Sequence, residues 1–279
     1  MSELTYTSGV TGQVFDLESK LSWGAALGLR SREWDYSLTY RGLGMPTRKA
    51  REVSVSMSVI NPSDLDAFMR ATDADIQMNQ PGVITGLAES GAAWTQHAVI
   101  VKTSPQSHHR ASDASIDLTI VLLDGVWRRR LDVQHFWSNV LQPGLDLDYP
   151  HDYPHDYMPT ARNTTVVNPM LAPMPFEMVW FGPVSKPQLT LGGNRYELDM
   201  DIPSGGYVTI SSVEGEKSII LTTENGDTSN MFSKGVRTGG ENGGSYIFQP
   251  IPSGELAAQW DGFGIDLTII EEASEPQWV

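Results

Sequence analysis

Apolar and polar residues alternate at every second position in several stretches of this chain, the period of a strand with one buried and one solvated face. In Tyr196-Glu-Leu-Asp-Met-Asp-Ile202 one set of positions is apolar and the other mostly charged. Pro203-Ser-Gly-Gly206 then turns the chain into Tyr207-Val-Thr-Ile-Ser-Ser-Val213. Ser218-Ile-Ile-Leu-Thr-Thr-Glu224 runs into Asn225-Gly226, a pair suited to a two-residue hairpin because both residues accept positive φ. After residues 256–260 and a turn at Asp261-Gly262, a last strand sets Phe263, Ile265, Leu267 and Ile269 on one face. Strands at this spacing predict a compact antiparallel β-sandwich over about the last hundred residues.

The first half also reads as β-rich, with one convincing helix. Val53, Val55, Met57 and Val59 alternate with Ser54, Ser56 and Ser58 and predict a half-buried strand ending at Asn61-Pro62. Ser63-Asp-Leu-Asp66 reads as a helix start, with Ser63 able to cap and Asp64 and Asp66 at the positive end of the dipole. Leu65, Phe68 and Met69 form its inward face. Two further strands are expected, over residues 94–102 and 115–123, the second with Ile116, Leu118, Ile120 and Leu122 aligned. The polar stretch between them, residues 102–115, reads as an exposed loop.

These phrases, taken in order, carry a resemblance. Gly-Asn-x-Tyr-x-Leu, Ile-Pro-Ser-Gly-Gly-Tyr-Val-Thr-Ile, Ser-Tyr-Ile-Phe-x-Pro-Ile-Pro-Ser-Gly and Trp-Asp-Gly-Phe-Gly-Ile-Asp-Leu-Thr-Ile-Ile-Glu-Glu follow one another toward the end of the chain. In that order they resemble the C-terminal galectin-like module of siphophage distal tail proteins, the Dit family. The order of strands, helix and strand pair closing on Asp124-Gly-Val-Trp127 resembles that family's ring-forming belt domain. The resemblance implies a mainly β protein: a β-rich belt domain with one short helix over residues 1–142, a linker over 143–164, and a galectin-like β-sandwich over 165–279. It also implies a structural role, as a homo-hexameric ring in the virion's tail tip that joins the tail tube protein to a tail-tip or receptor-binding component. Such a virion protein would be assembled in the host cytoplasm.

Composition narrows the alternatives. Twenty-six glycines and 17 prolines in 279 residues favour turns and short strands over long helices. The longest apolar runs, such as Ile120-Val-Leu-Leu123, fall far short of the ~20 residues that span a bilayer, and no secretory signal is expected from Met1-Ser-Glu-Leu-Thr-Tyr. Cysteine is absent, which excludes disulfides and thiolate metal sites. The net charge of −15 is uneven: residues 1–140 carry 13 Lys/Arg against 15 Asp/Glu, the remainder 6 against 19. So acidic a second half repels phosphate backbones and argues against direct nucleic-acid recognition.

Candidate chemistry is sparse. The linker repeat Asp148-Tyr-Pro-His-Asp-Tyr-Pro-His-Asp-Tyr-Met-Pro159 offers His151 and His155 with Asp148, Asp152 and Asp156, all possible metal ligands. Pro150 and Pro154 exclude the helix that a period of four would need, and on a polyproline path successive histidines diverge, so no metal is expected. The sequence holds no Gly-x-Ser-x-Gly elbow, His-Glu-x-x-His pair or Walker-type loop, and no catalytic residue or cofactor is assigned. His108-His-Arg110 and the cluster Arg128, Arg129 and Arg130 are basic, and short runs of this kind usually mark only a solvated surface. The three arginines and Trp278, on the polar, proline-interrupted tail, are candidate subunit or partner contacts. A carbohydrate-binding β-sandwich is the alternative reading. Against it, the His-x-Asn-x-Arg and Trp-Gly-x-Glu-x-Arg patterns of active galectins are missing: no histidine follows His155, and Trp260 precedes Asp261-Gly262.

Overall fold

A computed structural model of the chain describes residues 3–20, 22–29, 31–44, 46–59, 62–109, 113–136, 164–239, 244–260 and 262–276. The chain divides into two compact units, Met1–Arg129 with Glu272–Val279, and Arg130–Glu271. The strand Gln134–Phe136 is paired within the second unit. The His/Asp repeat of the expected linker and Trp278 lie outside the described residues.

The first unit opens with β1 (Glu3–Thr7), β2 (Val14–Glu18), β3 (Ser22–Trp23) and a five-residue helix α1 (Ala25–Leu29). A small hairpin, β4 (Leu38–Thr39) and β5 (Gly42–Leu43), precedes the long strand β6 (Arg51–Val59) and helix α2 (Pro62–Gln77). Four more strands follow: β7 (Gly82–Leu87), β8 (Ala93–His109), β9 (Asp113–Leu122) and β10 (Trp127–Arg130). Antiparallel pairing runs β2-β1-β7-β8-β9-β6-β3, and β10 joins β8 through Arg128 and Thr95. Seven strands in this order wrap one core as an open barrel. No strand ladder is assigned between its two ends, β2 and the β3–β6 side, which meet locally: Ser19 N–H donates to the Ser22 carbonyl, and the Glu18 carboxylate accepts from Gly24 N–H at 2.9 Å.

The alternation read from the sequence is what closes this core. Val53, Val55, Met57 and Val59 face inward from β6, and Ile116, Leu118, Ile120 and Leu122 from β9. Phe68, Ala71, Thr72 and Asp75 share the buried stripe of α2 at the i, i+3, i+4, i+7 spacing of an amphipathic helix. The helix begins at Pro62, the position proline suits best, so Ser63 stands in the first turn and not at the cap. Residues 102–109 are not a loop. They extend β8 into a hairpin with β9, which keeps its ladder past Pro105 by shifting register between Ile100 and Lys102 and again between Pro105 and Ser107.

One buried carboxylate fastens α2 to the sheet. Asp75, 1% exposed, accepts a hydrogen bond at Oδ2 from the Tyr6 hydroxyl (2.6 Å). At Oδ1 it accepts two more, from the Ser8 hydroxyl (2.7 Å) and the Val10 amide (2.9 Å). Burial, then the bond to Asp75, pushes the Tyr6 phenol far above its ordinary pKa. Phe68 packs edge-on against both Tyr6 and Phe15. At the start of β7, Gly82 is required by this approach: a Cβ there would sit 2.5 Å from the Tyr6 ring and hydroxyl and 2.6 Å from the Thr7 carbonyl oxygen.

A second carboxylate, Asp124, secures the turn between β9 and β10. Its Oδ2 takes the backbone amide of His97 at 2.8 Å and the imidazole Nδ1 at 3.0 Å, and its Oδ1 lies 3.5 Å from Arg128. Burial favours the neutral acid, but the His97 hydrogen bonds and the Arg128 charge outweigh it and hold the carboxyl below its usual range.

The second unit is a sandwich of two sheets. Its strands are β11 (Gln134–Phe136), β12 (Thr164–Asn168), β13 (Phe176–Phe181), β14 (Val184–Ser185), β15 (Gln188–Leu191), β16 (Asn194–Glu197) and β17 (Asp201–Ile202). After these come β18 (Tyr207–Ser211), β19 (Ser218–Thr222), β20 (Thr228–Asn230), β21 (Gly244–Ser245), β22 (Gly254–Trp260) and β23 (Ile265–Ala273). One sheet orders β11-β23-β13-β18-β19-β20 and the other β12-β22-β15-β16-β21, while β14 and β17 pair apart from both. Phe176, Trp180, Tyr196, Phe248, Ile265 and Leu267 fill the space between. The Asn225-Gly226 turn differs from the expected two-residue form. Only Gly226 has positive φ (86°), and the closing bond runs from Thr223 N–H to Asp227 C=O, so the loop holds three residues.

Neutral amides pin the sandwich where its ladders stop. Gln134 on β11 donates to the Val167 carbonyl (2.9 Å) and accepts from the Val167 amide (3.1 Å), imitating a strand pair between the two sheets. Asn194 makes the same two-way contact with the Tyr246 backbone. Buried Asn168 donates to the carbonyls of Ala172, Ile251 and Pro252 and accepts from Met170 N–H.

Replacing Asp75 with alanine strands two hydroxyls and a backbone amide without their acceptor. The expected cost is about 3 kcal/mol, read as a lower urea midpoint, and a loss under about 0.5 kcal/mol would show the cluster to be dispensable. For Asp124 the expectation concerns pH. A carboxyl depressed in the folded state contributes stability above its unfolded pKa and loses it as pH falls through the folded one. The stability gap between the wild type and Asp124→Asn should therefore be largest near neutrality and shrink below about pH 4. Equal gaps at both ends would contradict this.

Candidate interaction surfaces

The three consecutive arginines go to different places: successive residues of a strand face opposite ways, which separates Arg129 from its two neighbours, and Arg128 and Arg130 find different carboxylates. Arg128 lies among carboxylates, 3.2 Å from Glu272 and 3.5 Å from Asp124, and Arg48 also reaches Glu272 at 3.6 Å. Arg129 sets its guanidinium 5.2 Å from the centre of the buried Trp94 ring, a cation–π contact. Arg130 is exposed and grips Glu177 with both terminal nitrogens, at 2.6 and 3.2 Å. That pair raises its pKa above the ordinary guanidinium value. The cluster is thus committed largely within the chain: Arg128 and Arg129 hold the first unit, and Arg130 the second.

Trp260, Arg195 and Asn194 are committed as well. Trp260 donates its indole N–H to the Phe263 carbonyl (2.9 Å) and meets Phe136 edge-on at 5.8 Å. Arg195 lies 2.9 Å from the Ser245 hydroxyl and 3.0 Å from Glu197, and its neighbour Asn194 is bound to Tyr246 on both sides of its amide.

The more conspicuous surface is one the sequence reading passed over. Trp34, Tyr36, Leu38 and Tyr40 alternate with Asp35, Ser37 and Thr39, the pattern of a strand with one apolar face. The hairpin forms: Asp35 and Thr47 exchange backbone hydrogen bonds, Gly44 N–H donates to Ser37, and Leu38 pairs with Leu43. Tyr40 and Arg41 make its tip, with the guanidinium 5.1 Å from the Tyr40 ring centre. Yet the apolar face is bare. Tyr36 is 61% exposed, Leu38 77% and Tyr40 90%, and Leu43 beside them is exposed too. Its signal in the sequence was the period of two, which normally marks burial.

A second feature of the same unit is concave. A cavity of about 310 Å³ lies in the mouth of the open barrel, with residues 13–17 of and beside β2 on one side and Met57 and Val59 of β6 on the other. Leu65 and Phe68 of α2 also line it. That volume takes an inserted aromatic side chain and is small for a drug-sized ligand.

No family model matches this sequence, and neither does any curated protein. Solved structures do. A chain of the phage P2 baseplate in its activated conformation with calcium is similar over 98% of this chain and 99% of its own, at 9% identity and a TM-score of 0.60. The same baseplate with strontium gives the same values. The Dit protein of phage SPP1, described as a paradigm of the hub adsorption apparatus in phages that infect Gram-positive hosts, is similar over 97% of this chain and 99% of its own, at 12% identity and a TM-score of 0.56. At such identities the likeness is one of architecture, and it runs nearly end to end: the chain has a mainly β fold that matches the SPP1 distal tail protein.

Proposed function

We propose that this protein is a structural component of a bacteriophage tail tip, a hub that joins the tail tube to the tail-tip or receptor-binding apparatus. The observation that carries the reading is the extent of the likeness. It covers 97–98% of this chain and 99% of each counterpart, so it takes in both units together. A shared sandwich alone would say little, since that architecture hosts many functions.

In this reading the first unit corresponds to the belt and the second to the galectin-like module, with the His/Asp repeat as spacer. The belt assembles as a closed ring of six copies. Its near balance of 13 basic and 15 acidic residues over 1–140 lets copies approach, whereas the acidic second half would repel its own kind. The second unit faces other tail proteins as a docking platform, with Trp260 and Arg195 spent on its own fold and not on a glycan. The protein acts by holding partners, not by chemistry, and it resides in the virion.

Native mass spectrometry of the full chain checks this. The expected species is a ring of six subunits of 30.7 kDa each, visible as a hollow disc by negative-stain microscopy. A chain that stays single up to about 100 μM, far above the micromolar range of stable assembly, would overturn the ring.

A further inference from the structure

We infer that the aromatic face of the β4–β5 hairpin is a groove for an acidic, proline-bearing strand, and that it takes the Tyr-Pro-His-Asp repeat of a neighbouring copy, residues 145–159. This contact rests on the ring reading, which supplies the neighbour.

The groove is built from the hairpin and its flanks. Trp34, Tyr36, Leu43 and Pro46 line an open hollow of about 260 Å³, and all four are exposed. Two are aromatic and none is charged, the kind of lining on which polyproline segments dock. The Arg48 guanidinium lies 5.1 Å from the centre of the Trp34 ring and steadies it, while also reaching Glu272 at 3.6 Å. Trp34 and Tyr36 border a second hollow too, of about 320 Å³, together with Lys49, Arg51, Glu33 and Asp35. An apolar half and a charged half therefore meet at the two rings.

The repeat matches this surface in its spacing. Proline fixes its own φ and drives the residue before it to extended backbone, and the sequence places such pairs at Tyr149-Pro150, Tyr153-Pro154 and Met158-Pro159. A polyproline path has three residues per turn, so positions 150, 153, 156 and 159 share one stripe about 28 Å long. They are Pro150, Tyr153, Asp156 and Pro159. That stripe sets flat apolar groups beside a carboxylate, in step with a hollow of aromatic rings next to basic side chains. A segment already stiffened by proline also loses little freedom on docking.

Charge selects the same occupant. Residues 30–51 carry six Lys/Arg against two Asp/Glu, an excess of positive charge in a chain whose net charge is −15. Residues 145–159 carry four Asp and no Lys or Arg. Opposite signs steer the two together and set their register. Within one chain the hairpin face is exposed, Tyr36 and Leu43 each at 61%, so the strand that covers it comes from another copy. Groove and strand are different parts of the chain, which makes the contact heterologous and lets it repeat around a ring.

Two experiments on the full-length protein test the contact. In the first, Tyr36 is replaced by the photo-reactive p-benzoylphenylalanine, and a mixture of light and heavy isotope-labelled protein is irradiated. Cross-links between a light and a heavy copy should fall on residues 145–159. In the second, a fluorescein-labelled peptide of residues 145–159 is titrated into the variant Tyr149→Ser, Tyr153→Ser, Tyr157→Ser, whose own repeat no longer competes. Adding Tyr36→Ser and Leu43→Ser should weaken peptide binding at least about tenfold. The unfolding midpoint should stay within about 2 °C, because exposed side chains contribute little to the fold. A peptide that binds with and without the hairpin changes alike, or cross-links that fall outside residues 145–159, overturns this inference and leaves the ring standing. A wild type that remains single overturns both.

Discussion

The first unit depends on a carboxylate removed from water. Asp75 gives helix α2 a fixed seat against β1 by accepting from Tyr6, Ser8 and Val10, and the seat is directional in a way that apolar packing is not. A barrel closed by its own ladder would not need such a device. This one has no ladder assigned between β2 and the β3–β6 side, and the helix lines the cavity there with Leu65 and Phe68. If the helix could slide, the core would lose cover there. Three donors to one buried carboxylate make sliding expensive, because each would be left without its bond in a place water does not reach. Gly82 belongs to the same constraint, since any side chain at that point would push Tyr6 out of reach.

Much of this was legible in the sequence because burial on one face leaves a trace of period two. Val53 to Val59, Ile116 to Leu122 and Phe263 to Ile269 each showed it, and each lies in a core. The trace fails where a ladder continues without a buried face. Residues 102–109 are rich in Ser and His and contain Pro105, so they read as a loop, yet they carry β8 onward through two register shifts. Asn225 misled for a different reason: it tolerates positive φ, but a three-residue turn asks that only of Gly226.

The candidate surfaces were less legible. Arg128, Arg129 and Arg130 looked like one basic patch, and the fold sends them to a carboxylate cluster, an indole face and a half-buried glutamate. The hairpin of Trp34 and Tyr40 was hidden by the opposite logic. Its alternation is as regular as that of β6, and nothing in a single sequence separates a face buried in its own chain from one left bare. A likeness to the P2 baseplate chain at 9% identity fits this picture: the alternation and the turns can persist while individual residues do not.

The joints of the sandwich are made of amides. Gln134, Asn168 and Asn194 bind backbone groups through carboxamide side chains that neither gain nor lose a proton across the range in which carboxylates and imidazoles do. Screening by dissolved ions, which weakens exposed charge pairs, touches such bonds little. The second unit can carry a strongly acidic exterior, whose repulsion rises and falls with the medium, while these fastenings, one of them the Gln134 bridge between the two sheets, keep one strength. A fold that meets changing solutions is served by that separation of surface from seam.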